Sequence, residues 1–423
     1  MTEVTMPSPR GTGRPSADQD SRAASAAPDF LSPHYHVTMK PIGRQSTIYD
    51  VTERVTSLTH TDTGARSTSK VALNLDNSDD FLFAMPAFLE KGTLFTVDYG
   101  YPNLMRNAGG FVAREHSGGS KQLEVVAYEA KRAKLGRAMQ SRIWRNMTAS
   151  QIARDVLMSA GVSADSLFID ETDLILPSTM QVKEDNWAFV RGLADRSSRL
   201  FWVDETGFYW TKTNHGRRPS HLFRYVKGVI GADMIEDFKI ESFGAGVPGR
   251  INFRGMDPMT KRLYEVTASD EDTKELDPIV DTDDFRAPLE GDKETGGDTG
   301  YEILANLGVR SEVEARTIAD ALYREYRFSA LKVTLNIFGD PSVRVNEMTL
   351  VQGCGPIIDG KYRMTEATHT LGDGYKTVLK IARDGVDAKK GVGNNLPSFD
   401  LFLGIRDTHI YRNTGTGEES VYK

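Results

Sequence analysis

Residues 146–161, NMTASQIARDVLMSAG, and 184–212, EDNWAFVRGLADRSSRLFWVDETGFYWTK, carry the densest local structural signals in the chain. In the first stretch Thr148 and Gln151 stand at the spacing of a capping box and Met147 and Ile152 at that of a hydrophobic staple. Gly161 supplies a stop, so one short helix is predicted. In the second stretch Asp185 or Asn186 caps a helix that puts Phe189, Val190, Leu193 and Ala194 on one face. Arg191, Asp195 and Arg196 fall on the other. Residues 200–203 and 208–211 then read as aromatic-rich strands joined by Asp204-Glu205-Thr206-Gly207, with Gly207 expected at positive φ in a type I turn with a bulge. The unit is helix, linker, helix, hairpin, and its informative residues are caps, apolar faces and a turn glycine rather than reactive groups.

Outward from this unit the text turns to short strands. Before it, Val71-Leu73-Leu75, residues 94–99 and residues 123–126 alternate at period two between turn signals at Lys91-Gly92, residues 100–103 and Gly118-Gly119, which predicts a small barrel or sandwich. After it, strand-like text covers residues 221–268, followed by an acidic stretch at 269–299 whose composition cannot support a core and reads as a loop or disordered insertion. Ser311 and Glu314 form a second capping box for a helix 312–326, with Val313, Ile318, Leu322 and Tyr326 as its packing face. Alternation returns at residues 331–337, 343–345, 348–350, 362–364 and 377–381, predicting a second small barrel.

The expected fold class is therefore α+β, mainly β: two small β-barrels with an inserted α/β module. The expected division is a flexible arm 1–33, a first barrel 34–126, the α/β module 127–220 and a second barrel 221–268 plus 330–386. An acidic insertion with its packing helix at 269–329 and a tail at 387–423 complete it.

Taken in order, these segments resemble the phage late control protein D family, the baseplate hub proteins of contractile tails. The resemblance rests on residues 148–156, the D-N-W-A-F-V-R-G-L-A-D-R helix with its aromatic hairpin, and KGTLFTVDYGY followed by GGFVAREH. It rests further on the closing set Gly339, Pro341, Gly355, Asp359, Gly360, Tyr362, His369, Gly374, Tyr375 and Thr377. It runs from His34 to Arg383 and leaves out the arm, the acidic insertion and the tail. Asn346 stands where members commonly carry Gly, and Asn also tolerates the left-handed conformation. The resemblance implies a virion baseplate protein assembled in the host cytoplasm. It also implies a homotrimer whose two barrels per subunit make a ring of pseudo-sixfold symmetry joining a central spike protein to the tail tube or tube-initiator protein. Baseplate wedge proteins would surround the ring, with the genome or a tape-measure protein passing through it. Two alternatives stand beside this: the hub part of a secretion-system or extracellular injection spike, which normally continues into a β-helical needle, and a hub-associated peptidoglycan hydrolase.

Composition sets the remaining bounds. The 423 residues suit several domains, the charged fraction is 26% and the formal net charge is −7, which disfavours nonspecific nucleic-acid binding. Lys131, Arg132, Lys134, Arg137, Arg142 and Arg145 form a local basic set in text read as helical and as a solvated or subunit-facing surface. No apolar run is long enough for stable membrane insertion, and the N-terminal arm lacks a secretory signal. Cys354 is the single cysteine, so no intrachain disulfide framework is expected.

Reactive motifs are sparse, and no catalytic, cofactor or metal residue is assigned. Gly355 to Lys361 has the spacing of a phosphate loop, but Tyr362 replaces the required hydroxyl and a turn at Asp359-Gly360 fits better. His34-x-His36 offers two imidazoles with no acidic partner adjacent in sequence, and residues 281–284 lack the spacing of a calcium loop. Cys354 and His369 are read as a small apolar filler and a structural histidine.

Overall fold

The computed structural model describes residues 32–42, 47–64, 67–79, 90–136, 139–212, 218–229, 231, 233–243, 250–256, 261–269, 301–303, 312–328, 330–355, 357–384, 409–412 and 419–422. Most of the expected arm, most of the acidic stretch, Ser311 and most of the tail lie outside them. The tail contributes an antiparallel pair of strands, His409–Arg412 with Glu419–Tyr422.

The first β unit contains β1 (His34–Lys40), β2 (Tyr49–Asp50), β3 (Val55–Thr63), β4 (Lys70–Asp76), β5 (Leu94–Tyr101), β6 (Leu104–Gly118) and β7 (Gln122–Glu129). Alternation drives it: β3, β4 and β5 bury every second residue, and Val37, Leu58, Leu73, Phe95, Val97 and Val125 meet in one core. The ladder order is β3-β4-β7-β6-β5-β1-β2. The roll is completed where β1 returns to the run into β3. There Val51 N–H donates to Val37 O at 3.0 Å, Val37 N–H to Thr52 Oγ1 at 2.9 Å and Tyr35 O–H to Val55 O at 2.6 Å.

The second β unit contains β13 (His221–Tyr225), β14 (Met234–Phe243), β18 (Leu331–Phe338), β19 (Met348–Gln352), β20 (Gly360–Leu371) and β21 (Tyr375–Arg383). It is a closed six-stranded barrel in the order β19-β13-β14-β18-β21-β20, with β20 pairing back to β19. When the strands of each unit are ranked along the chain, leaving the short β2 aside, both units follow the same circuit, first-second-third-sixth-fifth-fourth. The other ladder neighbours are antiparallel in both. The first strand is the exception: β1 runs antiparallel to β5, whereas β13 runs parallel to both β19 and β14. The common strand order that sequence could not show is thus present in the fold, with its entry strand reversed.

Between the units lies the α/β module: α1 (Ala130–Leu135), β8 (Met139–Thr148), α2 (Ala149–Ser159), β9 (Leu167–Ile169), β10 (Ile175–Asp185), α3 (Asn186–Arg196), β11 (Arg199–Val203) and β12 (Phe208–Lys212). The expected capping box is present, with Gln151 N–H donating to Thr148 Oγ1 at 3.3 Å and Thr148 N–H to Gln151 Oε1 at 3.0 Å. Met147 and Ile152 join one core, and Gly161 ends the helix at φ +80°. Asp185 is the cap of α3, accepting from Ala188 N–H at 2.7 Å. Of the basic stretch read as helical, Lys131, Arg132 and Lys134 lie on α1, Arg142 and Arg145 lie on strand β8, whose Trp144 points inward, and Arg137 lies outside the described residues.

Two further expectations are corrected. Residues 250–268 do not join the second barrel. Strands β15 (Arg250–Met256), β16 (Leu263–Ser269) and β17 (Tyr301–Ile303) make a separate three-stranded sheet, because its apolar face is covered by its own helix, α4 (Glu312–Arg327). The buried face of α4 is Ala315, Ile318, Ala319 and Tyr323, while Val313 and Tyr326 are 63% and 44% exposed. Small alanines let the helix approach the sheet closely, so the long side chains at 313 and 326 fall outside the contact. Residues 343–345, read as a strand, form a loop that carries the buried Val343.

The β11–β12 hairpin forms as expected, with Val203 paired to Phe208 and Asp204 N–H donating to Gly207 O at 3.1 Å. Its glycine is needed for a different reason. Gly207 does not have a positive φ; a Cβ placed on it would stand 2.4 Å from the backbone oxygen of Ser166. The constraint is close packing of the turn on the run into β9. Gly207→Ala is therefore expected to cost about 1–3 kcal/mol, the range of overpacked sites, and Gly207→Val more. Chemical denaturation checks this, and an alanine variant as stable as the parent would contradict the close approach.

Candidate functional site: the junction of the two barrels

The two β units form one continuous thirteen-stranded sheet because β20 also pairs with β3, in the register Glu366↔Thr63 to Leu371↔Leu58. That register sets His369 directly opposite His60, and their rings stack at 6.0 Å. Both are fully enclosed. His60 Nδ1 is hydrogen-bonded to Tyr99 O–H at 2.7 Å, and His369 Nδ1 to Tyr375 O–H at 2.9 Å and Thr377 Oγ1 at 3.1 Å. Burial holds both imidazoles well below the usual histidine range, and the nearby Arg106 guanidinium adds to the effect. Each is a neutral, satisfied core group.

Arg106 on β6 crosses the same seam. Its guanidinium donates to Asp62 Oδ2 at 2.6 Å, to Val343 O at 3.1 Å and lies 3.4 Å from His369 Nε2. Asp62 also accepts from Ser69 O–H at 3.3 Å. One cation from the first barrel thus binds a carboxylate of its own barrel and a backbone carbonyl of the second. Such a pair is costly to bury and costlier to break, so it specifies one relative placement of the barrels. Tyr101 O–H adds a second crossing bond to Gly339 O at 3.0 Å, and Leu371 and Tyr375 of the second barrel complete the core of the first.

The module reaches the seam through its hairpin turn. Lys131 donates to the backbone oxygens of Asp204 at 2.6 Å and Glu205 at 2.8 Å, and Arg344 of the second barrel donates to Glu205 Oε1 at 3.1 Å. Glu129, at the end of β7, keeps some solvent contact, yet burial, reinforced by Asp62, pushes its carboxyl up to about 8. All three parts of the molecule therefore meet at one polar junction.

The sequence signals noted above fall elsewhere or are structural. Cys354 packs against the second barrel core, and burial pushes its thiol up to about 12, which leaves no thiolate nucleophile. His369 sits in the seam. Asp359 accepts from Cys354 N–H at 2.8 Å within a turn, followed by Gly360 at φ +143° and strand β20. Asn346 takes φ +64°, as its tolerance of that conformation allows. His36 does have acidic partners, supplied by folding rather than by sequence adjacency: Asp50 at 3.3 Å and Asp98 at 3.9 Å. Among the described residues no group of three or more His, Cys, Asp or Glu is arranged to hold a metal ion, and no helix is long and apolar enough to cross a membrane.

This pair of like-wound barrels, joined through the β3–β20 ladder and bridged by an α/β module, defines the fold class. No family model matches the sequence, and no curated protein does. Among solved structures, the chain is similar to a tail protein from Neisseria meningitidis at TM-score 0.58 and 10% identity, covering 84% of this chain and 99% of that one. It is similar to a prophage MuSo2 tail protein from Shewanella oneidensis at TM-score 0.57 and 14% identity, again covering 84% and 99%. A prophage tail protein from Listeria monocytogenes matches at TM-score 0.51 and 10% identity, covering 82% and 94%. The fold is that of phage tail proteins.

Proposed function

We propose that this chain is the structural hub of a contractile phage tail baseplate, working as a homotrimer whose two barrels per subunit supply six similar units around one ring. The observation that carries the reading is the shared strand circuit of the two barrels together with the β3–β20 ladder that fuses them edge to edge. A ring made of three such chains presents sixfold contacts to a tail tube on one side and threefold contacts to a central spike on the other, which is how a duplicated unit relieves a symmetry mismatch. Tube or tube-initiator and spike are the partners of this reading, with wedge proteins outside, and its place is the virion tail. The junction then has a mechanical role: it holds the two barrels of one chain at a fixed angle so that the ring closes. No reaction is assigned to it, since its histidines are neutral and each is hydrogen-bonded within its own barrel, His60 to Tyr99 and His369 to Tyr375 and Thr377.

Sedimentation equilibrium of the purified chain, alone and with its spike, tests the proposal. The expected result is a trimer in at least one of the two conditions, with a melting temperature that rises with protein concentration because association draws on the folded state. A chain that stays monomeric at high concentration and ignores the spike would overturn it.

A further inference from the structure

Strand β10 is paired with β8 on one edge only. Pro177 has no N–H to give a ladder, so its backbone faces away from β8, and that of Thr179 faces the same way by the two-residue alternation. Among the described residues nothing bonds to the strand on that side from 174 to 180. A cleft of about 480 Å³ runs along this open edge, a size that suits a bound ligand. Residues 176–180 line it one after another. Alternate residues of a strand point to opposite faces, so it is the edge of β10, not one face, that bounds the cleft. The facing walls are Phe189, Gly192 and Leu193 of α3 and Thr317 and Ile318 of α4.

Gly192 narrows what the cleft admits. It stands inside α3, where glycine is the least favourable residue after proline. Neither the backbone nor the packing calls for it: its φ is not positive, and a Cβ built on it would meet nothing within 4 Å. What the missing side chain does is keep the space in front of the helix open, which is the use of glycine where another backbone comes close. Charge does not select the guest, because Arg196 and Arg199 line the cleft together with Asp173, Glu184 and Glu314. The open strand edge and the bare helix position do, and both are suited to a main chain.

We propose that this cleft takes an extended peptide segment of a partner protein, added to β10 as the third strand of the β8–β10 ribbon. Thr179 N–H and the carbonyls of Pro177 and Thr179 are the main-chain groups that hold it, and Pro177, which accepts but cannot donate, restricts its register. Apolar side chains at alternate positions of the guest pack on Leu176, Phe189 and Ile318, and its main chain passes Gly192. The site lies in the α/β module and against α4, and it does not depend on how many chains make the ring.

Calorimetric titration of the full chain with the acetylated, amidated heptapeptide Thr-Val-Thr-Leu-Thr-Val-Thr tests the proposal. Two further peptides carry N-methyl groups on one or the other alternate set of amides, which removes donors from one edge and leaves every side chain in place. The expected result is saturable binding of one peptide per chain, weakened at least about tenfold by one methylated set and changed less than about twofold by the other. Gly192→Phe, which fills the cleft, should weaken binding at least about tenfold while melting no lower than the parent, because a helix interior favours Phe over Gly. Thr179→Pro, which removes the edge donor, should weaken it as well and serves if Gly192→Phe does not fold. No binding of the parent peptide, equal binding of both methylated peptides, or undiminished binding by the folded variants would each overturn the proposal. Binding that appears only after removal of residues 1–31, or only on dilution of the protein, would assign the cleft to the chain's own arm or to a second copy and overturn the partner assignment. None of these outcomes bears on the trimer test of the hub reading, so the two fail separately.

Discussion

Arg106→Met lowers the free energy of unfolding by about 3–5 kcal/mol, the cost of breaking a buried ion pair by removing one partner. The substitution keeps most of the side-chain volume, so the loss is electrostatic. Asp62 is left in the seam with only Ser69 as a side-chain partner, and Val343 O loses its donor from the opposite barrel. Adding Asp62→Asn to the same chain should recover part of the loss, because an amide no longer needs a cation, and the double-mutant cycle gives the coupling energy. Chemical denaturation at neutral pH measures it. A loss below about 1 kcal/mol, the value of an exposed pair, would mean that the seam is wet and that Arg106 does not fix the barrels.

Acidification produces the second large effect. The folded pKa of His60 and of His369 lies well below 6.5, so below that pH the unfolded chain takes up two protons that the folded chain refuses. Stability contributed by the two neutral imidazoles is complete above pH 6.5 and falls by about 1.4 kcal/mol per pH unit for each, about 2.7 together. Glu129 has the opposite sign. Its carboxyl is raised to about 8, so its contribution is complete below about 4.5 and is lost as pH rises toward 8. It returns at most about 1.4 kcal/mol per unit between pH 6.5 and 4.5, less for the screening by solvent that its partial exposure allows. The net expectation is a stability maximum near pH 6.5 and a decline of at least about 1.3 kcal/mol per unit from pH 6.5 to 5. Denaturation midpoints at pH 7.5, 6.5 and 5.5 check this, and His60→Gln, His369→Gln should flatten the acid limb. Stability that stays level or grows between pH 6.5 and 5 would contradict the neutral-histidine seam.

Local chemistry was legible in the sequence and long-range chemistry was not. Thr148 with Gln151 and Asp185 with Ala188 are set by spacings of three residues, and folding realises them as read. Period-two alternation marked β4, β5 and β7 of the first barrel and β18, β19, β20 and β21 of the second, but did not single out β1, β3 or β6. Of the junction only His369, Tyr375, Thr377 and Gly339 were marked, and not what they meet, because Arg106 meets Asp62 across 44 positions and Val343 across 237. Arg106 in one strand and Asp62 and His60 in another look like ordinary surface residues until β20 is laid beside β3. Gly207 shows a subtler limit: a glycine in a four-residue turn signals a special backbone, yet here the signal came from Ser166 O, a neighbour 41 positions away. Arg142 and Arg145 misled through composition, since a Lys- and Arg-rich run suits a helix while the inward Trp144 between exposed neighbours follows the period of a strand. The outer face of α4 misled in the same way, because sequence shows an apolar stripe but not which of its edges meets a sheet.

The central claim is that one chain supplies two of six similar units in a ring. End-on electron micrographs of the assembled protein, with its mass measured on the same sample, test this most directly. The account predicts three chains per ring and six similar lobes, two from each chain at a fixed separation. A ring of six chains, each giving one lobe, would contradict it, because the two barrels would then not be equivalent positions around the axis.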